Sequence, residues 1–196
     1  MLKQLFTFGQ PSAELKFNIQ KPETSQKIAA NISNLVSDVQ QSQKEIIVLC
    51  IGTDRSTGDA LGPLTGSKLQ SLQLYPFIYG TLEQPVHATN LEQTLLNIHE
   101  TFANPFIIAV DACLGKLESV GCISLGLGPL KPGAAVNKKL PPVGDVYITG
   151  IVNVGGFMEH LVLQSTRLNL VIKMSEVIAY SLAQSLRDTA GQRIIQ

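Results

Sequence analysis

Two runs of apolar residues most constrain what this chain can fold into. They are residues 46–51 (IIVLCI) and 106–110 (FIIAV). Neither run alternates polar with apolar, so each reads as a strand covered on both faces, as in a parallel sheet between layers of helices. Each run also leads into a carboxylate. Gly52 ends the first, and the polar stretch 53–59 (TDRSTGD) follows, closing on Asp59. The second ends at Asp111. Open α/β sheets place their sites at the carboxyl ends of such strands.

The segments between these runs alternate in period. Ile28, Ile32, Leu35, Val36 and Val39 form one helical face behind a Thr24 or Ser25 cap. A second helix is expected over 59–72, with Ala60, Leu61 and Leu64 inward. Leu91, Leu95, Ile98 and Phe102 mark a third behind Asn90. A turn at 153–156 leads into a helix holding Phe157 and Leu161, and a last helix is expected over 168–187. Shorter strands are expected at 77–79, 120–125 and 145–151. Residues 1–22 form a lead-in of no assigned structure, and 188–196 a frayed tail. Strands alternating with helices imply an α/β protein, a three-layer α/β/α sandwich with a mostly parallel sheet. With no repeat and no compositional break, one domain over 1–196 is expected.

Composition narrows the function classes. Apolar residues make up 44% and charged residues 15%, which suits a packed core and excludes a disordered chain. Fifteen basic and fifteen acidic residues cancel, leaving no electrostatic case for nucleic acid or an anionic membrane. Three cysteines without CxxC spacing suit a reducing compartment and no structural zinc. No signal peptide or spanning apolar segment is evident, so a cytoplasmic protein is expected.

The chemistry concentrates on carboxylates. Neighbouring parallel strands lie about 5 Å apart, so loops at one sheet edge can bring Asp59 and Asp111 together. One of two close carboxylates is pushed to keep its proton, and the pair can act as acid and base on a water. No cofactor is expected on this reading. The same two oxygens sets would otherwise hold a divalent metal. Each has a structural alternative: Asp59 as a helix N-cap, Asp111 as a strand-end group bonded to its loop. Asp54 is a turn residue or a site carboxylate. Arg55 balances these charges, binds a substrate carboxylate, or is solvated. His87 is a candidate acid, base or metal ligand, in the loop that also carries Glu83. His99 and His160 read as structural. Residues 126–144 form a long loop, in which Lys131, Asn137, Lys138 and Lys139 could receive a carboxylate or oxyanion. Cys113 reads as a small core residue. A P-loop, a dinucleotide fingerprint and a GxSxG elbow are all absent.

Several long segments, in order, carry a resemblance: CIGTDRSTGDALGPL (50–64), GTLEQPVHATNL (80–91), VDACLG (110–115), GPLKPGAAVNKKLPPVGD (128–145) and TGIVNVGGF (149–157). Over about residues 45–180 the chain resembles the YyaC-type sporulation proteins, a family of candidate spore proteases related to the spore germination protease. Thr57, Asp59, Ala60, Leu61, Gly62 and Pro63 match that protease's T-x-D-A-L-G-P motif. Val110, Asp111 and Ala112 match its V-D-A segment. Pro132, Gly133, Val136 and Lys138 match a further P-G-x-x-V segment with its basic neighbour.

The resemblance implies a phosphorylase/hydrolase-like sandwich. It also implies Asp59 and Asp111 as the pair of an atypical aspartic peptidase; on the reading of the loops, Asp54, Arg55, His87 and Lys138 are second-rank site residues behind them. The related hydrogenase maturation endopeptidases place acidic residues at both positions and recognise nickel with a later histidine; here none lies between Asp111 and His160. The implied partner is a protein or peptide, small acid-soluble spore proteins among the candidates, in the forespore or mother cell; a homo-oligomer is compatible with it. A non-catalytic peptide- or metal-binding regulator of sporulation on the same fold is the alternative. A metal-dependent amidohydrolase or nucleosidase is a third.

Overall fold

The computed structural model describes residues 14–42, 44–75, 77–132 and 140–191. Six strands form one sheet: β1 (Leu15–Asn18), β2 (Glu45–Cys50), β3 (Ile78–Tyr79), β4 (Pro105–Gly115), β5 (Cys122–Leu127) and β6 (Val146–Val154). Their order across the sheet is β1-β5-β6-β4-β2-β3. β3, β2, β4 and β6 are parallel, and β5 and β1 add an antiparallel border. Five helices accompany them among the described residues: α1 (Thr24–Gln41), α2 (Leu61–Ser71), α3 (Leu91–Thr101), α4 (Glu159–Gln164) and α5 (Leu168–Gly191).

The two apolar runs explain the layering. Along β2, Ile46, Val48 and Cys50 point into one core, with Ile28, Ile32 and Val36 of α1 and Val171, Met174 and Ile178 of α5. Ile47, Leu49 and Ile51 point into the other, with Leu91 and Ile98 of α3. β4 repeats the division, Ile108 and Val110 on the first side and Ile107 and Ala109 on the second. A strand in mid-sheet cannot afford a polar face, hence the unbroken apolar sequence. Cys50 is fully buried at the last rung of β2, and burial pushes its thiol far above the ordinary range. The three-layer, mostly parallel architecture is the one the sequence pattern implies.

The sheet is closed unequally at its two ends. At the amino end of β4, Asp145 clasps Ile107: its backbone N–H donates to the Ile107 carbonyl, and its Oδ2 accepts the Ile107 N–H, both at 2.8 Å. At the carboxyl ends the strands fan into loops. α2 lies tightly over this end, because Gly62 passes against the backbone of Ile51 where a Cβ would collide with its carbonyl.

Four expectations change. Residues 15–18 of the unplaced lead-in form β1, pairing with β5 from Leu15↔Leu125 to Asn18↔Cys122. β4 does not stop at Asp111 but runs on to Gly115, because β6 keeps pairing with it past a bulge at Cys113/Leu114. Phe157 precedes α4 rather than lying in it, Leu161 does lie in it, and both are exposed. The last helix continues through 188–191, where fraying was expected. Asn137, Lys138 and Lys139 lie outside the described residues.

Candidate active site

The site is assembled by the loops after β2 and β3, the far half of β4, and the segment after β6. Past Cys50 the chain continues through Ile51, whose N–H donates to the Val110 carbonyl at 2.7 Å. Gly52 then adopts φ +143° and the chain leaves the sheet. The turn closes on itself, with the Thr53 N–H donating to the Asp59 carbonyl at 3.2 Å and the Ala60 N–H to that of Ser56 at 3.0 Å. Asp59 therefore stands at the top of the loop, half-buried, immediately before α2. It is not the cap of that helix. Ala60 holds the N-cap position, with no side-chain capping bond, which leaves the Asp59 carboxylate available to the site.

Asp111 is buried within β4, opposite Thr149 of β6. Its Oδ1 accepts the Ala112 N–H at 2.8 Å. Burial, reinforced by the negative charge of Asp59, holds its carboxyl well above the usual range, and the Ala112 N–H offsets this only in part. Burial raises Asp59 as well, but the Thr53 backbone N–H and the imidazoles of His160 and His87 pull it back. The two carboxylates thus interact, and their surroundings raise their proton affinities unequally: imidazoles offset the rise at Asp59, and none does so at Asp111.

His87 comes within electrostatic range of Asp59 because the loop after β3 is tied beside β2. Val86 forms a parallel bridge with Ile51, and its carbonyl accepts the Gly52 N–H at 2.8 Å. Asn90 braces the turn, taking the His87 N–H on Oδ1 at 2.8 Å and donating Nδ2 to the Pro85 carbonyl at 3.0 Å. The His87 Nδ1 contacts the Thr89 hydroxyl at 2.9 Å.

His160, which reads as structural in the sequence, has its Nε2 3.3 Å from Gln164 Nε2 on the same helix, and it also bears on the charge of Asp59. It is exposed on α4 and acts on Asp59 from the opposite chain segment to His87. β6 is parallel to β4 and beside it, so the helix following β6 opens on the same edge as Asp111. A histidine near the start of such a helix was the available signal. His99 does remain apart, its Nδ1 2.8 Å from the Leu95 carbonyl on α3. Asp54 and Arg55 are exposed at the loop tip, Arg55 donating its N–H to Thr53 Oγ1 at 3.3 Å. The groups that set the charge of Asp59 and Asp111 do not include either of them. Cys113 follows on β4, its thiol pushed up to about 11, chiefly by burial; such a thiol is a poor nucleophile at neutral pH.

Among the described residues no three His, Cys, Asp or Glu side chains converge closely enough to hold an ion. The arrangement supplies two carboxyls of raised but unequal proton affinity, Asp111 the more strongly raised, and unequal carboxyls are the composition of an acid–base pair.

Comparison with known proteins places this site in context. A family model described as "Protein of unknown function (DUF1256)" matches residues 16–181. The chain is 61% identical over 151 residues to "Uncharacterized protein YyaC" of Bacillus subtilis (strain 168), covering 76% of this chain and 73% of that one. Among solved structures it is similar to the [NiFe] hydrogenase maturation protease HycI from Thermococcus kodakarensis KOD1. That match has a TM-score of 0.49 and 18% identity, over 74% of this chain and 93% of that one. No helix of the described residues is long and apolar enough to cross a membrane.

Proposed function

The chain belongs to the DUF1256 family, whose description assigns no activity, so function is read from the site, and we propose that the protein is a peptidase-like hydrolase working through Asp59 and Asp111. The observation that carries this is the pairing itself: Asp111 is buried on β4, and the charge of Asp59, from the loop after β2, raises its proton affinity.

The unequal environments assign the roles. Asp59 is the base. Half-exposed and eased toward its ionised form by His160 and His87, it takes a proton from a water at the mouth of the sheet. Asp111 is the acid. Buried and protonated, it donates a hydrogen bond to the oxygen of the carbonyl under attack. The water oxygen bonds to the carbonyl carbon and the carbonyl π pair moves onto its oxygen. As the C–N bond breaks, the proton gained by Asp59 passes to the leaving nitrogen. No metal is required for the step. The resemblance of residues 57–63 and 110–112 to the germination protease motifs supports peptide as substrate, and small acid-soluble spore proteins, in sporulating cells, as the class to try first.

The test is cleavage of small acid-soluble spore proteins by the wild type, Asp59→Asn and Asp111→Asn, read by mass spectrometry with and without chelator. Cleavage by the wild type alone, unaffected by chelator, supports the reading. Cleavage that survives both substitutions sinks it, as does no cleavage by folded wild type.

A further inference from the structure

β4 outruns its neighbour. Its pairing with β2 ends at Cys50↔Val110, and beyond the Ile51–Val110 hydrogen bond the β2 chain turns away at Gly52. From Asp111 to Gly115 β4 is held by β6 alone. Along a parallel strand the main-chain polar groups of successive residues address opposite flanks. The Val110 carbonyl faces β2, and the Gly115 carbonyl faces the other way, accepting the Gly155 N–H at 2.8 Å. Ala112 and Leu114 therefore turn theirs toward the flank that β2 has vacated. The Ala112 N–H is occupied by Asp111. Among the described residues no partner on that flank meets the Ala112 carbonyl or the N–H and carbonyl of Leu114.

At and past the end of β6, tied to the tip of β4 by the Gly155 N–H on the Gly115 carbonyl, is an apolar lip. Val154, Phe157, Met158 and Leu161 are all exposed, Phe157 at 86%. Three hydrogen bonds tie the lip to its surroundings. Gly155 is bonded to β4, Glu159 Oε1 accepts the Gly156 N–H at 3.1 Å, and Asn153 Nδ2 donates to the Val162 carbonyl at 3.3 Å. Met158 is kept at φ +55°, a left-handed conformation that costs a non-glycine residue energy and tends to occur where function requires it. The lip runs into α4, which is tied to the loop that ends in Asp59 by the Gly58 N–H donating to the Leu163 carbonyl at 2.8 Å.

We propose that the overhang of β4 receives the main chain of an extended peptide as an added strand, with an apolar side chain of that peptide seated on the lip. This deepens the peptidase reading and rests on it, since it states how a substrate would be held beside Asp111. The occupant follows from the chemistry. Unpaired strand groups are satisfied in register by another extended main chain, and the lip offers only apolar contact. A stable pairing of two copies needs about 800 Å² per partner, from about 20–30 residues. A short overhang and four side chains fall well below that.

The probe is a degenerate acetylated and amidated octapeptide library, applied to full-length Asp59→Asn protein so that bound peptide is not cleaved. Retained peptides are expected to be enriched in Leu, Ile, Val, Met or Phe at one position. N-methylation of one backbone nitrogen of a retained peptide should weaken binding at least tenfold, and binding should slow hydrogen exchange at the Leu114 amide. Phe157→Ser with Leu161→Ser, both exposed sites, should abolish the apolar preference. No retention, no preference, or indifference to every N-methylation overturns the proposal. So does a wild-type dimer in sedimentation that the double substitution dissolves, which would give the patch to a second copy. The peptidase reading fails separately: selective binding to Asp59→Asn without turnover by the wild type removes the chemistry and leaves the docking mode standing.

Discussion

The backbone N–H of Gly58 donates to the carbonyl of Leu163 at 2.8 Å. This bond joins the loop that presents Asp59 to the helix that carries His160, across the open ends of the strands. A side chain at Gly58 would meet Leu163 and Thr166, so the two segments interlock rather than merely touch. The position of Asp59 is thus set from two directions, by β2 beneath it and by α4 across from it.

Burial raises the proton affinity of Asp59, and His160 and His87 are among the groups that lower it. His160→Gln or His87→Gln should therefore raise it further. The acidic limb of a pH–rate profile should move to higher pH in either variant, with activity reduced rather than lost. Carboxyl carbon NMR of Asp59 follows the same titration without needing a substrate.

Replacing either carboxylate removes one member of an acid–base pair. Asp59→Asn and Asp111→Asn should each lower the turnover number by about 100- to 10,000-fold. The double variant should be little worse than the singles, because residues acting as a unit are not additive. Initial rates on one cleaved peptide check both statements.

Stability should respond to Asp111 in the opposite sense. Its folded proton affinity is raised, first by burial and then by Asp59. Between its unfolded and folded titrations the native state binds more protons, so its contribution to stability is complete below the unfolded value and is lost as pH rises through the folded one. Asp111→Asn should melt higher than wild type at neutral pH. The difference should close as pH falls below about 4, the ordinary aspartate range. Thermal melts at a series of pH values test the sign.

Two structural substitutions should separate packing from chemistry. Gly62→Ala drives a Cβ into the Ile51 carbonyl and should cost about 1–3 kcal/mol in a urea melt, lowering activity with it. Asn153→Ala removes bonds to the Val162 carbonyl and Thr166 Oγ1. It should cost about 1 kcal/mol, and loosening α4 should reduce the effect of His160 on Asp59.

The parts legible in the sequence were those whose physics is local. Residues 46–51 and 106–110 announce a doubly covered strand at each position, and the helices α1, α3 and α5 carry regular apolar faces. Asp59 and Asp111 could be named because each follows such a run. The rest depends on distant partners. LKFN at 15–18 has too few residues to declare itself, and is a strand only because β5 lies beside it. That β4 continues beyond Asp111 is decided by β6, whose pairing extends to Val154. His160 lies about 100 residues from Asp59 in the chain, and no helical period could reveal that α4 bends back over the loop. Asp54 and Arg55, close to Asp59 in sequence, face solvent instead.

The burial of Cys50 gives this molecule an internal clock. Its thiol is sealed on the last rung of β2, one residue short of the bond that joins Ile51 to β4. An alkylating reagent can reach it only while that corner of the sheet is parted, so the rate of its modification reports how often the floor of the site opens. Cys113 and Cys122, less deeply placed, serve as controls in the same digest.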